Sequence, residues 1–379
     1  MNFDFDDQQL ELHETVARAL ADALPFDGHE ARCADDSSGW NTMAELGLFG
    51  VLVPEVHGGL GLSLVDLALI AEELGARIAP QSISDTLAAS DVIARHATAE
   101  QQSRWLPALA EGRLRVAIAW HEAASGYDPA SMATSLVDGM LQGEKLVVAN
   151  AAKADFLLVP FRHGDSSRVG LAMMKARGEG VSLIETESLD PACGHCCVSF
   201  ASARVPDDAV LAGYAPQEAA ARLFDVAAAL QAAMALGIAA EVLQRSADYA
   251  RERIQFDKPI GSFQAIKHKC ADMYALIEAA RAASYYAICA LAEAAEDGHR
   301  AASMAKAFCG DTAVKCCHDA IQVHGGMGFT WELGLHHFLR RARVIAAIFG
   351  DGDYHRERVV AATLRANALT MAEPKRSAA

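Results

Sequence analysis

The hydrophobic period of this chain changes twice, and that limits its fold more than any other feature. Residues 1 to about 112 read mostly as helix. Residues 7–24 set Leu10, Leu12, Val16 and Leu20 near helical spacing, and 40–48 and 64–76 read as two further helices. Val51-Leu52-Val53-Pro54 stops the second and Ile78-Ala79-Pro80 the third. Gly58-Gly59-Leu60-Gly61 lacks the spacing of a dinucleotide-binding turn and has no βαβ unit around it, so it reads as a tight loop between helices. From about 113 to 213 the period shortens. Residues 116–120, 139–149, 156–161, 169–173, 181–184 and 197–201 are strand-like runs punctuated by Gly, Asp, Pro and Ser. No crossover helix separates them, so antiparallel pairing is expected. From about 216 the chain is helical and Ala-rich again, with separable helices at 264–296, 304–323, 341–349 and 353–366. The reading divides the chain into 1–112, 113–213 and 214–372, with a mobile tail at 373–379.

Composition bounds the function. Of 379 residues, 52% are hydrophobic and 22% charged, enough apolar material for large cores. The formal net charge of -16 argues against nucleic acid or an anionic membrane surface as the main partner. The start, MNFDFDDQQL, carries neither the basic residues nor the apolar run of a signal peptide. No window of ~18 apolar residues is free of charge, so no membrane span is expected and a cytoplasmic location is. The nine cysteines read as reduced thiols. Cys193-Gly194-His195-Cys196-Cys197 contains a C-x-x-C, but it leads into strand-like Val198-Ser199-Phe200 rather than opening a helix whose dipole would activate a thiol. Adjacent Cys316 and Cys317, before His318, would point about 100° apart on a helix, a poor zinc geometry. Both clusters read as small buried residues, and no metal site is expected.

The stretch richest in chemistry is YARERIQFDKPIGSFQAIKH, from Tyr249 to His268. A helix is expected to end near Arg253, Pro259 and Gly261 to make a turn, and Ser262 to cap the next helix. A guanidinium at a helix end and the free N–H groups of the next helix can together hold a phosphate, although a plain helix corner accounts for the same residues.

This stretch resembles the acyl-CoA dehydrogenase signature in its Arg-x-x-Phe, Pro-Ile-Gly and Phe-Gln elements. Residues 40–61 (WNTMAELGLFGVLVPEVHGGLG) resemble the N-terminal domain of that family, and 200–213 (FASARVPDDAVLAG) the end of its β domain. Gln322-Val-His-Gly325-Gly326-Met-Gly328-Phe329 resembles its Gln-x-x-Gly-Gly-x-Gly flavin motif. The resemblance runs in order through nearly the whole chain. It implies a mainly α fold with a central β domain: an N-terminal helical domain, a central β-barrel and a C-terminal four-helix bundle.

It also implies FAD shared across a subunit interface, an acyl-CoA substrate, electron-transfer flavoprotein as acceptor, and a dimer of dimers. The residues matching those lent to a neighbour's FAD are Arg253, Gln264, Gln322, Gly325 and Gly326. Arg offers phosphate a fixed fork of donors, Gln both donates and accepts, and Gly lets backbone approach closely. Phe256 and Phe263 either flank the cofactor or pack in the core.

The half-site for the chain's own flavin departs from the family. Its Thr-containing loop reads Ala119-Trp120-His121-Glu122-Ala123-Ala124-Ser125-Gly126-Tyr127-Asp128, which leaves His121, Gly126 and Tyr127 as cofactor-side candidates. The slots of the family's Trp-Ile-Thr strand are Val147, Val148 and Ala149. The family takes the substrate α-proton with a Glu; the slot here, six residues after Arg343, is Phe349, and the earlier-helix slot is Ala227. Neither titrates, and general-base catalysis contributes roughly 10²–10⁴-fold in rate. The pattern resembles the base-lacking subunit of heterotetrameric bacterial members that act on steroid-derived or bulky acyl-CoAs. The expected role is completion of a partner's FAD site. Two alternatives stay open: a self-sufficient homo-oligomeric enzyme with a displaced base, Asp351 or Asp353, and a non-enzymatic acyl-CoA or flavin-binding protein.

Overall fold

A computed structural model describes residues 6–26, 36–123, 126–164 and 166–372 of the chain. The 373–379 segment expected as a tail lies outside the described residues. Among the described residues five α-helices come first: α1 (Asp7–Ala23), α2 (Ser37–Glu45), α3 (Leu64–Ala76), α4 (Gln81–His96) and α5 (Ala99–Ala110). Asp6, Ser63 and Thr98 each start a helix with a reciprocal capping box, which satisfies backbone donors that a helix start leaves free. The glycine run is a tight turn, as expected. Gly58 and Gly61 have φ of +83° and +62°, and a Cβ on Gly59 would meet the Val53 carbonyl at 2.0 Å.

The central zone holds β1 (Val116–Ile118), β2 (Ser135–Val137), β3 (Met140–Val148), β4 (Phe156–His163), β5 (Val169–Lys175), β6 (Val181–Glu185) and β7 (Cys196–Arg204). They form one sheet, in the order β1-β4-β2-β3-β7-β6 with β5 also on β4. The antiparallel expectation needs correction, because β4 runs parallel to both β1 and β2. The crossover that a parallel pair needs is made by intervening β structure instead of a helix. At β4 and β5 both faces are buried. Leu157, Val159 and Phe161 of β4 enter the sheet's own core, while Leu158 joins Leu171 and Met173 in the core shared with the helices.

The chain then forms α6 (Pro216–Glu252), α7 (Gln264–Ala292), α8 (Gly298–His324), α9 (Leu335–Ala347) and α10 (Gly352–Ala372). Arg253 ends α6, as expected. Ser262 does not cap α7: it lies in the 3-10 turn Ile260–Ser262, and Phe263 precedes the helix without a side-chain cap. Pro259 fixes the chain just before that turn, so the helix starts one residue later. By length and composition α6 and α7 are apolar enough to cross a membrane, but 83% of the α6 window is buried inside the protein, as in a core helix. α3 crosses α6 at two glycines. A Cβ on Gly75 would meet the Met234 carbonyl at 2.0 Å, and one on Gly237 the Glu72 carbonyl at 1.8 Å. Arg341 of α9, fully buried, pairs with Asp190 of the β zone and donates to the Ala79 carbonyl of the N-terminal helices. One side chain thus joins all three parts.

Candidate functional site

Most of the sequence candidates fall into two groups, one exposed and one largely buried. In the first, α6 leaves at Arg253 into the hairpin of β8 (Ile254–Gln255) and β9 (Lys258–Pro259), and the Ile260 N–H donates to the Arg253 carbonyl at 2.8 Å. Phe256, at the tip, is 85% exposed with φ +52°, so its ring is not in the core. It meets the Phe263 ring in a T-shaped contact at 6.0 Å, and Lys258 sits 4.5 Å from the Phe263 ring centre. Arg253 and Gln264 are exposed, and Arg253 forms no ion pair with another described residue. The Gln322 group stands beside them because the Tyr249 and His324 rings stack at 4.3 Å, joining the ends of α6 and α8. Gln322, Gly325 and Gly326 are exposed; Gly325 turns at φ +59°, and a Cβ on either glycine would meet nothing within 4 Å. An unpaired guanidinium, two amide side chains and bare backbone suit a phosphate-bearing flavin approaching from outside.

The second group faces inward. Phe349 is buried at φ +52° in the turn after α9, and Ala227 is buried on α6. The Phe349 N–H donates to His121 Nε2 at 3.2 Å, and His355 Nε2 donates to the Phe349 carbonyl at 2.8 Å. Lys306, buried on α8, donates to the Gly350 carbonyl at 2.7 Å and the Ala346 carbonyl at 3.2 Å. The His121 loop is fixed in turn to β3. The Leu146 N–H donates to the His121 carbonyl at 2.8 Å, and Lys145 pairs with Glu122 at 2.7 Å in the interior. Burial pulls His121 down to about 4, helped by the charges of Lys306 and Lys145, and His355 to about 3. Burial pulls Lys306 itself to about 7.

Aromatic rings fill the surroundings. His121 lies 5.8 Å from Phe349 and 5.4 Å from Tyr127, which packs on Tyr354 at 5.1 Å; Phe224 adds contacts to Trp120 at 5.0 Å and Tyr354 at 5.9 Å. Gly126, at φ +59°, bridges back to Glu122. Val148 and Ala149 are buried, and Val147 is half-exposed with no polar group to offer. On this side Lys306 and one ring nitrogen each of His121 and His355 are bonded to the backbone of the Phe349 turn, while His355 Nδ1 is buried without a partner among the described residues. Asp351 is exposed, and its Oδ1 accepts the Tyr354 N–H at 2.9 Å to cap α10. Asp353 is 91% exposed and paired with Arg356 at 2.8 Å. Neither carboxylate enters the ring cluster. The sequence reading did not single out Lys306 or His355. Lys306 had a signal, a lone cation in the apolar helical run Met304-Ala-Lys-Ala-Phe308. No group of three metal-ligating side chains occurs among the described residues.

Comparison with known proteins gives the family. Residues 6–113 match the acyl-CoA dehydrogenase N-terminal domain and 218–364 its C-terminal domain. An acyl-CoA dehydrogenase of Bacillus subtilis (strain 168) is 31% identical over 83% of this chain and 86% of its own length. The benzylmalonyl-CoA dehydrogenase of Aromatoleum aromaticum is 31% identical over 90% of this chain and 94% of its own. Among solved structures, a variant of the Tcur3481-Tcur3483 steroid ACAD superposes with a TM-score of 0.87 at 30% identity, over 96% of this chain and 99% of that one. The chain belongs to the acyl-CoA dehydrogenase family, FAD-binding flavoprotein oxidoreductases with this same succession of helical, sheet and helical domains.

Proposed function

We propose that this chain is the subunit of a heteromeric acyl-CoA dehydrogenase that completes the FAD site of a partner subunit and does not itself remove the substrate proton. The observation that carries the reading is the burial of Phe349, the residue that the sequence resemblance matches to the family's base. Phe accepts no proton, and the alternative slot, Ala227, accepts none either. The donors that remain free, Arg253, Gln264 and Gln322, point outward with the bare turn at Gly325-Gly326. Arg253 would hold pyrophosphate, the two Gln side chains would take amide-type hydrogen bonds, and the glycines would admit the cofactor to the backbone. FAD, when bound there, supplies the hydride acceptor for α,β-dehydrogenation of an acyl-CoA. The solved steroid relative carries two component names, as a two-subunit enzyme would. The same reading takes electron-transfer flavoprotein as the electron acceptor, a dimer of dimers as the assembly, the cytoplasm as the compartment and 1–112, 113–213 and 214–372 as the domains.

The test is flavin stoichiometry and turnover of the purified chain, alone and with the product of a neighbouring dehydrogenase-like gene. Alone, the chain is expected to hold little FAD and to show no turnover. A fully yellow, active homo-oligomer would sink the reading.

A further inference from the structure

The inward group does more than lack a base. Both places from which a carboxylate would reach an acyl chain are covered by rings. Phe349 fills one, and Phe224, one turn before Ala227 on α6, sits on the same side of the helix as the other. Tyr127 and Tyr354 pack together at 5.1 Å between them, and Phe224 reaches Tyr354 at 5.9 Å. The turn that carries Phe349 is tied through four backbone groups of three residues. The Ala346 and Gly350 carbonyls accept from Lys306, the Phe349 carbonyl accepts from His355, and the Phe349 N–H donates to His121. These three side chains come from α8, α10 and the loop after β1, so no single element can release the turn. The carbonyls beyond a helix end are otherwise without partners, and a buried ammonium between two of them satisfies both. A Cβ on Gly350 would meet His355 Nε2 at 2.5 Å, which shows how closely the histidine is seated on the turn.

Resting on the proposed role as a completing subunit, we infer that this chain's own acyl site is closed by a latched aromatic plug. Phe349, Phe224, Tyr127 and Tyr354 are the plug, and Lys306, His121 and His355 are the latch. The subunit is thereby barred from taking up an acyl chain, and restoring a carboxylate at 349 does not restore a site. In the heteromer, only the partner's site takes up acyl-CoA.

Calorimetric titration of the purified heteromer with octanoyl-CoA counts the sites. Phe349→Glu is expected to leave both the bound equivalents and the turnover unchanged. Phe349→Ala with Tyr354→Ala, which empties the plug, is expected to add one equivalent per copy of this chain. An added equivalent or added turnover in Phe349→Glu alone would overturn the plug while leaving the completing role intact. No added equivalent in the double variant would overturn it too. Turnover by the wild-type chain without any partner would instead remove the completing role itself. Hydrogen exchange gives a readout that needs no buried charge. The Phe349 and Gly350 amides are expected to be protected in the wild type, and Lys306→Met to speed exchange at Phe349 at least tenfold. Exchange in the wild type as fast as in exposed loops would overturn the latch.

Discussion

Phe349 shows what one side chain decides. A glutamate there would need room for a substrate, whereas a phenylalanine can be packed, and this one is packed and bonded through both of its backbone polar groups. Asp351 and Asp353 remain the nearest carboxylates in sequence, but one caps α10 and the other faces water beside Arg356. Asp351→Asn is therefore expected to leave heteromer turnover within about twofold of wild type, because the amide oxygen still caps the helix; steady-state kinetics check this. The two histidines of the latch give a pH signature. The folded chain holds them neutral down to about 4 and about 3. An unfolded chain takes up both protons as pH falls through the ordinary histidine range near 6.5, so the unfolded state binds more protons and stability falls with pH across that window. Each histidine is expected to contribute about 3 kcal/mol to the loss by pH 4. His355→Gln should flatten the curve of urea-unfolding free energy against pH; an unchanged slope would refute the assignment.

Elements differed in how legible they were. α3 was read to the residue because its apolar run starts at a capping serine. α4 was not resolved individually because its buried face carries Ser82, Ser84, Asp85, Thr86, Ser90 and Asp91, which blur the hydrophobic period. β2 was missed because three residues give too short an alternation. The flavin-facing candidates were legible only through family resemblance. The residues themselves, exposed Arg and Gln around a turn, allow a plain helix corner equally well. The latch as an arrangement was not legible, although His121 and Phe349 were singled out and Lys306 stood as a lone cation in an apolar run. It joins residues 121, 306, 349 and 355 through backbone groups, which leave no trace in residue type. The crossing of α3 and α6 yields a prediction at this scale. Gly237→Ala forces a methyl against the Glu72 carbonyl, so the helices must part. Overpacking of this kind costs about 1–3 kcal/mol, and the midpoint of urea unfolding should fall accordingly.

At the scale of the whole molecule, the outward cluster and the inward plug belong to different surfaces and are expected to respond independently. Arg253→Ala removes a guanidinium that has no hydrogen bond or ion pair with another described residue. It should leave the melting temperature of the isolated chain unchanged. In the heteromer, it should weaken FAD retention by about 1.5–3 kcal/mol, the worth of a hydrogen bond to a charged group, or roughly 10- to 150-fold. Flavin release on dilution measures it.

Arg341 carries a consequence for how the chain is made. Its partners lie 151 and 262 residues earlier in the sequence. A chain emerging from the ribosome exposes Asp190 and the Ala79 carbonyl long before the guanidinium arrives, so neither has this native partner until translation has passed position 341. This tie between the three parts therefore forms only once translation has passed Arg341, and a nascent chain released before that point lacks it and is a substrate for chaperones or proteases.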